Sequence, residues 1–196
     1  MAAAPESSER EYVPGAREWR SADLFVLILL LIALVGGIVL RQSSLYATQS
    51  ATYEGLSFDV PSGAIVQSAN NGYAVRAKNG LTIRAEKLPA PAFGAEDGAT
   101  LAAARAVQLA QKRTLFQSTE TAQAQAAGKD AGLIRYQYVE SSNQFYANGL
   151  RVMVGNELLI PNGDNFYALS LEGPADKRDE VDALWPKIQS SVRLGG

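Results

Sequence analysis

Apolar residues change their spacing along this chain, and each change marks a different kind of structure. From Leu24 to Leu40 (LFVLILLLIALVGGIVL) seventeen consecutive positions are uncharged and nearly all apolar, bounded by Asp23 and Arg41. A run with no period has no polar side to turn to water, so it predicts a single transmembrane helix. At the helical rise it covers about 25 Å, against a hydrocarbon core of roughly 30 Å. Arg20 and Arg41 would reach outward to absorb the shortfall, and Trp19 and Tyr46 stand where interfacial aromatics sit. Ala33, Gly36 and Gly37 form a small-residue face on which a second transmembrane helix can pack closely.

The alternative for this run is the apolar region of a cleaved signal peptide. A 23-residue leader precedes it, it exceeds the roughly 7 to 15 residues usual for such regions, and only a poor cleavage site, Thr48-Gln49-Ser50, follows. Arg10, Arg17 and Arg20 precede the run, whereas Arg41 is the sole basic residue for some distance after it. The positive-inside bias therefore places the N-terminal tail in the cytoplasm and the remainder outside, at a cell membrane crossed once. Residues 1–23 are polar, contain two prolines and read as a flexible tail. Residues 41–53 (RQSSLYATQSATY) read as a juxtamembrane linker, leaving residues 54–196 as one extracytoplasmic domain of common size.

In that domain the apolar period becomes two. Leu56, Phe58 and Val60 alternate until Pro61, predicting a short half-buried strand. Tyr73, Val75 and Ala77 alternate before Asn79-Gly80, and Leu81, Ile83 and Ala85 after it, which predicts a hairpin closed by a type I′ turn. Further strands are expected over 131–139, 150–160 and 165–171. Helical period intervenes over Leu101–Lys112, with Thr100 as expected N-cap, and returns after Gly173-Pro174, where Val181, Leu184, Trp185 and Ile188 share a face. Pro186 is expected to kink or end that last helix. The assembly is α+β: an antiparallel sheet covered by helices, behind one N-terminal transmembrane helix.

Composition narrows the chemistry. The chain has no histidine and no cysteine, which removes the usual general base, Ser-His-Asp triads, thiol nucleophiles and most zinc sites. No enzyme activity, cofactor or metal is expected. Paired carboxylates remain in Glu86, Glu140, Glu157 and Glu172, of which Glu86, Glu157 and Glu172 read as solvated groups near strand ends or turns. Residues 54–196 carry 14 basic and 15 acidic side chains without a clustered basic patch, so no nucleic-acid partner is indicated. The segment Pro161–Asn165 offers oxygen ligands but lacks the spacing of a calcium loop and reads as a turn. Tyr136, Tyr138, Phe166 and Tyr167 read as sheet packing, whereas Phe145 and Tyr146, in a polar loop, are the best candidates for an exposed partner surface.

The succession GLSFDVPSG, hairpin, helix, AGKDAGLIRYQYV, NFYALSLEG and DEVDALWPKIQSSVRL resembles the PsbP/Mog1-like domains, in their bacterial single-pass membrane-anchored form, over about residues 54–194. That resemblance implies an α-β-α sandwich around a central antiparallel sheet. It also implies a binding or assembly module, since the group includes extrinsic photosystem subunits, a regulator of a nuclear-transport GTPase and anchored bacterial domains. It carries no site residues over. The resulting expectation is a non-catalytic accessory or stabilising subunit whose partners are the bilayer and the subunits of a larger membrane complex. The alternative is a stand-alone anchored protein that binds a small ligand or a cell-envelope component.

Overall fold

A computed structural model describes the backbone of residues 16–69, 72–91, 97–141 and 149–195, and the side chains of these residues except 16–22, 39–46, 68 and 69. The chain divides at Ser44 into two compact units. The first is dominated by helix α1 (Ala16–Tyr46), which contains the whole apolar run. Helix therefore replaces the expected tail from Ala16 onward and the expected linker up to Tyr46. Both segments are rich in helix-compatible Ala, Arg, Glu, Gln and Ser and are interrupted by no proline or glycine. The side chains of Leu24, Leu30 and Leu34 are 59%, 65% and 65% exposed, and the other large apolar side chains described on α1 are exposed as well. Among the described residues, no helix is long and apolar enough to cross a membrane.

The second unit begins earlier than its sequence pattern suggested. Strand β1 (Thr48–Tyr53) pairs antiparallel with β2 (Leu56–Pro61), so residues 48–53 are sheet rather than linker, and Ala51 is buried. The two are joined by Glu54 and Gly55, both at positive φ (46° and 89°), which is the backbone of a type I′ turn. The hairpin that Asn79-Gly80 announced does form, between β4 (Gly72–Arg76) and β5 (Thr82–Pro89), but with a different turn. Gly80 N–H donates to Ala77 O and Ala77 N–H to Leu81 O, with only Gly80 left-handed (φ 83°). That is a three-residue loop closed by a glycine bulge.

Strand β3 (Ile65–Ala69) precedes this hairpin at the sheet edge. Helix α2 (Gly98–Lys112) follows it, capped by the Asp97 carboxylate, which accepts from the N–H groups of Ala99 and Thr100; Thr100 itself is inside the helix. Then come the long strands β6 (Thr114–Ala126), β7 (Lys129–Ser141), β8 (Leu150–Asn162) and β9 (Asn165–Pro174), joined in an antiparallel meander. A 3₁₀ turn, Ala175–Lys177, leads into helix α3 (Arg178–Ser191), and β10 (Arg193–Leu194) returns to β2. Pro186 does not end α3. It is exposed, as is Asp182, the residue whose carbonyl loses its helical donor, so water can serve that carbonyl instead.

The main sheet runs β3-β4-β5-β9-β8-β7-β6, and a small sheet β1-β2-β10 lies apart from it. Alternation along the central strands assigns the two faces. Leu158, Leu169 and Leu171 pack with Phe58 and with Val181, Leu184, Trp185 and Ile188 of α3. Ile134, Tyr136, Leu159, Phe166 and Ala168 point the other way and pack with Leu101, Ala102 and Leu109 of α2. The domain is thus a helix–sheet–helix sandwich with a separate core on each side.

Contact between α2 and the sheet is set by glycine. A methyl group on Gly132 would lie 2.3 Å from Gly98 O, and one on Gly98 would lie 2.2 Å from Ala131 O. Backbone meets backbone here, so Gly132→Ala should lower unfolding free energy by about 2–3 kcal/mol through overpacking. Gly149→Ala, whose added methyl would meet no described atom within 4 Å, should change it by less than about 0.5 kcal/mol in the same urea titration.

Candidate functional site

The α2 stripe that meets the sheet contains Leu101, Arg105 and Leu109, spaced by one turn, so an arginine lies on a buried face. Its requirement for a counter-charge is met by the sheet. Arg105 Nε and Nη2 donate to Glu157 Oε1 at 3.2 and 3.0 Å, and Nη2 also reaches Glu86 Oε2 at 3.4 Å. One turn beyond Leu109, Arg113 closes the helix and donates from Nη2 to Glu172 Oε1 at 2.5 Å. Glu172 also accepts from the hydroxyls of Tyr136, at 2.6 Å, and Tyr138, at 3.1 Å. The Arg113 guanidinium lies 4.2 Å from the centre of the Tyr138 ring and 5.0 Å from that of Tyr136. Gly155 makes room for this stack, since a side chain there would strike the Tyr136 ring.

Glu157 and Glu172, 3% and 1% exposed, are therefore not the solvated carboxylates expected from sequence. The expectation failed because both belong to central strands covered on both sides, where neighbouring apolar residues say nothing about which positions face α2. Arg105 and Arg113 were missed as well, although the spacing of Arg105 from Leu101 and Leu109 carried the signal. Glu140 is exposed and Glu86 half-buried, and of the two Glu86 joins the network through Arg105.

Electrostatics assign each group a fixed state. Burial pushes the Glu172 carboxyl up, but Arg113 and the hydrogen bonds from Tyr136 and Arg113 prevail and hold it below the ordinary glutamate range. For Glu157 burial prevails over Arg105 and its acidity is weakened. Burial and the nearby carboxylate raise both tyrosines, so they remain hydroxyl donors. Among the described residues, Arg113 Nη1 and Glu157 Oε2 find no hydrogen-bond partner. Three hydrogen bonds occupy Glu172, and this network fixes the end of α2 to the sheet.

The opposite face carries a cleft of about 210 Å³ between β6, β7, β8 and the first turn of α3. Asn156 and Val154 lie at its floor, and Thr119, Glu120, Arg135, Arg178 and Asp182 stand around its mouth. Glu120 and Arg135, directly opposite on the neighbouring strands β6 and β7, pair at 3.4 Å. A bulge in β6 between Ser118 and Glu120 places Thr119 opposite no residue of β7.

This architecture can be compared with solved structures. No family model and no curated protein matches the chain. Cyanobacterial PsbP (CyanoP) from Synechocystis sp. PCC 6803 superimposes with a TM-score of 0.56 at 13% identity, covering 76% of this chain and 93% of that one. The Ran-binding protein Mog1p of Saccharomyces cerevisiae gives 0.53 at 13% identity, covering 76% and 96%. The domain has a PsbP/Mog1-like fold. At such identities the likeness shows fold alone, and neither the ionic network nor the cleft of this PsbP/Mog1-like domain is inferred from it.

The sequence-derived site residues are dispersed. Ala33, Gly36 and Gly37 lie on α1, and a methyl added to either glycine would meet nothing within 4 Å, so this small-residue face is open. The side chains of Trp19, Arg20, Arg41 and Tyr46, and the whole of Phe145 and Tyr146, lie outside the described residues. Pro161–Asn165 is a turn between β8 and β9; Tyr136 and Tyr138 are buried, as their alternation indicated, and the consecutive Phe166 and Tyr167 are buried on opposite faces of the sheet.

Glu172→Gln should destabilise the PsbP/Mog1-like domain by about 3 kcal/mol at pH 7, because Arg113 keeps its charge and loses its counter-charge. The stabilisation from Glu172 is present above the ordinary glutamate pKa and lost as pH falls through its lowered folded value. The gap between wild type and Glu172→Gln should therefore narrow below about pH 4.5, as measured by urea unfolding across that range.

Proposed function

We propose that this chain is a non-catalytic accessory or stabilising subunit of a larger membrane complex, held by α1 as a single-pass anchor, with a PsbP/Mog1-like domain outside the cytoplasm that binds another protein. The observation that carries the reading is the exposure of every large apolar side chain from Leu24 to Ile38 on one helix. An apolar surface of that extent needs lipid or protein to cover it. In the sequence, the run continues through Val39 and Leu40 before the first charge. The arginine excess ahead of the run supports a cytoplasmic N-terminus. Absence of histidine and cysteine, together with an ionic network whose Glu172 is fully engaged, supports a role without catalysis. That a protein of this fold, Mog1p, is Ran-binding supports protein recognition as a use of the scaffold.

A second reading, a stand-alone anchored protein that binds a small ligand or envelope component, is favoured by the cleft on the α3 face. The two are separated by the particle in which the chain travels. Extracted from its native membrane in mild detergent, the intact chain is expected in a large particle of defined stoichiometry, resistant to alkaline carbonate washing. Recovery as a lone monomer would reject the subunit reading, and release by carbonate would reject the anchor. Replacing Gly36 and Gly37 together by Leu is expected to dissociate that particle while the chain stays in the membrane. An unchanged particle would remove α1 from the docking surface.

A further inference from the structure

The cleft on the α3 face has features that packing alone does not explain. Asn156 is 3% exposed, lines the cleft and makes no side-chain hydrogen bond or other polar contact among the described residues. Its carboxamide is not among the side-chain atoms sealed from solvent without a partner, so whatever fills the cleft, water or ligand, supplies its hydrogen bonds. The cleft supplies the room: about 30 Å³ per liquid water makes its 210 Å³ equivalent to about seven waters, the scale of a small molecule rather than of one trapped solvent.

The mouth defines the charge of that molecule. Arg135 is paired with Glu120, leaving Arg178 and Asp182 as one cation and one anion that enter no ion pair among the described residues. They stand four residues apart at the start of α3, and both line the cleft. Four residues rise about 6 Å along a helix, so the two side chains offer opposite charges at separate points rather than one doubled charge. A lone anion would meet Arg178 but also Asp182, and a lone cation the reverse. A zwitterion meets both favourably. Asn156 offers a donor and an acceptor together, and its best complement is another amide. Terminal charges flanking a single amide are the chemistry of a dipeptide, whose Cα atoms stand about 3.8 Å apart. In a free amino acid the two charges share one carbon and no amide lies between them.

We infer that the cleft between β6–β8 and α3 is a binding site for a small zwitterion with a central amide, a dipeptide or the like. Its carboxylate binds Arg178, its ammonium binds Asp182, and its amide pairs with Asn156. Thr119, set out of register by the β6 bulge, adds a hydroxyl at the mouth. The site is independent of whether the chain belongs to a larger complex, so its test stands or falls apart from the extraction experiment.

The test is titration of the ¹⁵N-labelled full chain in detergent micelles with glycylglycine, with acetate and methylammonium as single-charge probes. Saturable shifts are expected at the Asn156 side-chain amide and at the backbone amides of Gly155 and Val181, with at least about tenfold weaker binding of either single ion, as for the loss of one charge-assisted hydrogen bond. Asn156→Leu and Arg178→Ala should each weaken glycylglycine binding by at least about tenfold. Asn156→Leu should not lower the unfolding midpoint, because it removes an unpartnered polar group, and Arg178 is exposed. Lack of saturation in the millimolar range, acetate binding as tightly as the dipeptide, or unaltered binding by the Arg178→Ala chain would each overturn the assignment.

Discussion

Two carboxylates stand on the sheet face beneath α2, at positions where a side chain cannot reach bulk water. Glu172 and Glu157 are each met by an arginine from that helix. Replacing such pairs by apolar residues is often neutral or better for stability, whereas removing one partner is severe. What the pairs supply here is placement. An apolar helix face can slide along a sheet by a residue at modest loss, but Arg105 and Arg113 must each find their carboxylate, eight residues apart on the helix and on two different strands. The close approach of Gly98 to Gly132 sets the other end of the helix. Between these anchors α2 has one position, and the second core, with Leu101, Leu109, Ile134 and Leu159, packs accordingly.

The opposite face follows different rules. There α3 packs through Val181, Leu184, Trp185 and Ile188 on a wholly apolar patch, with Phe58 of the small sheet filling the remaining side. Among the described residues of α3 other than Lys187, none forms an ion pair with the strands. Polar groups on that face collect instead at the cleft beside the first turn of α3. One sandwich thus separates two tasks: charge is consumed internally under α2 and displayed at the surface beside α3.

Helix α1 stands in contrast to both. Its described large apolar side chains are exposed, while the globular unit has a core of its own. Cohesion in the globular unit is supplied by its two cores and its ladders, and that of α1 by its own backbone hydrogen bonds.

Several features were legible in sequence. The period-two runs located β2, β4, β5 and the cores of β7, β8 and β9; the four-residue apolar spacing located both helices of the domain; and the order of these elements was sufficient to recognise the PsbP/Mog1-like fold. Local patterns work where one face is apolar and the other polar. They failed at β6, an edge strand exposed at most positions, at β1, and at exposed β3, because pairing with a neighbour defines those strands rather than their own burial. They also failed at the charged residues of the interior. No local rule tells whether a glutamate in an apolar strand faces water or an arginine, since the answer depends on a helix some fifty residues earlier arriving at that face. The chain by itself determined its apolar segment, the elements with one apolar face and its lack of histidine and thiol chemistry, because these need only the sequence. Tertiary structure alone decided which charges are buried, which pair, and which amide lines a cleft unpartnered, because each is a relation between distant parts of the chain.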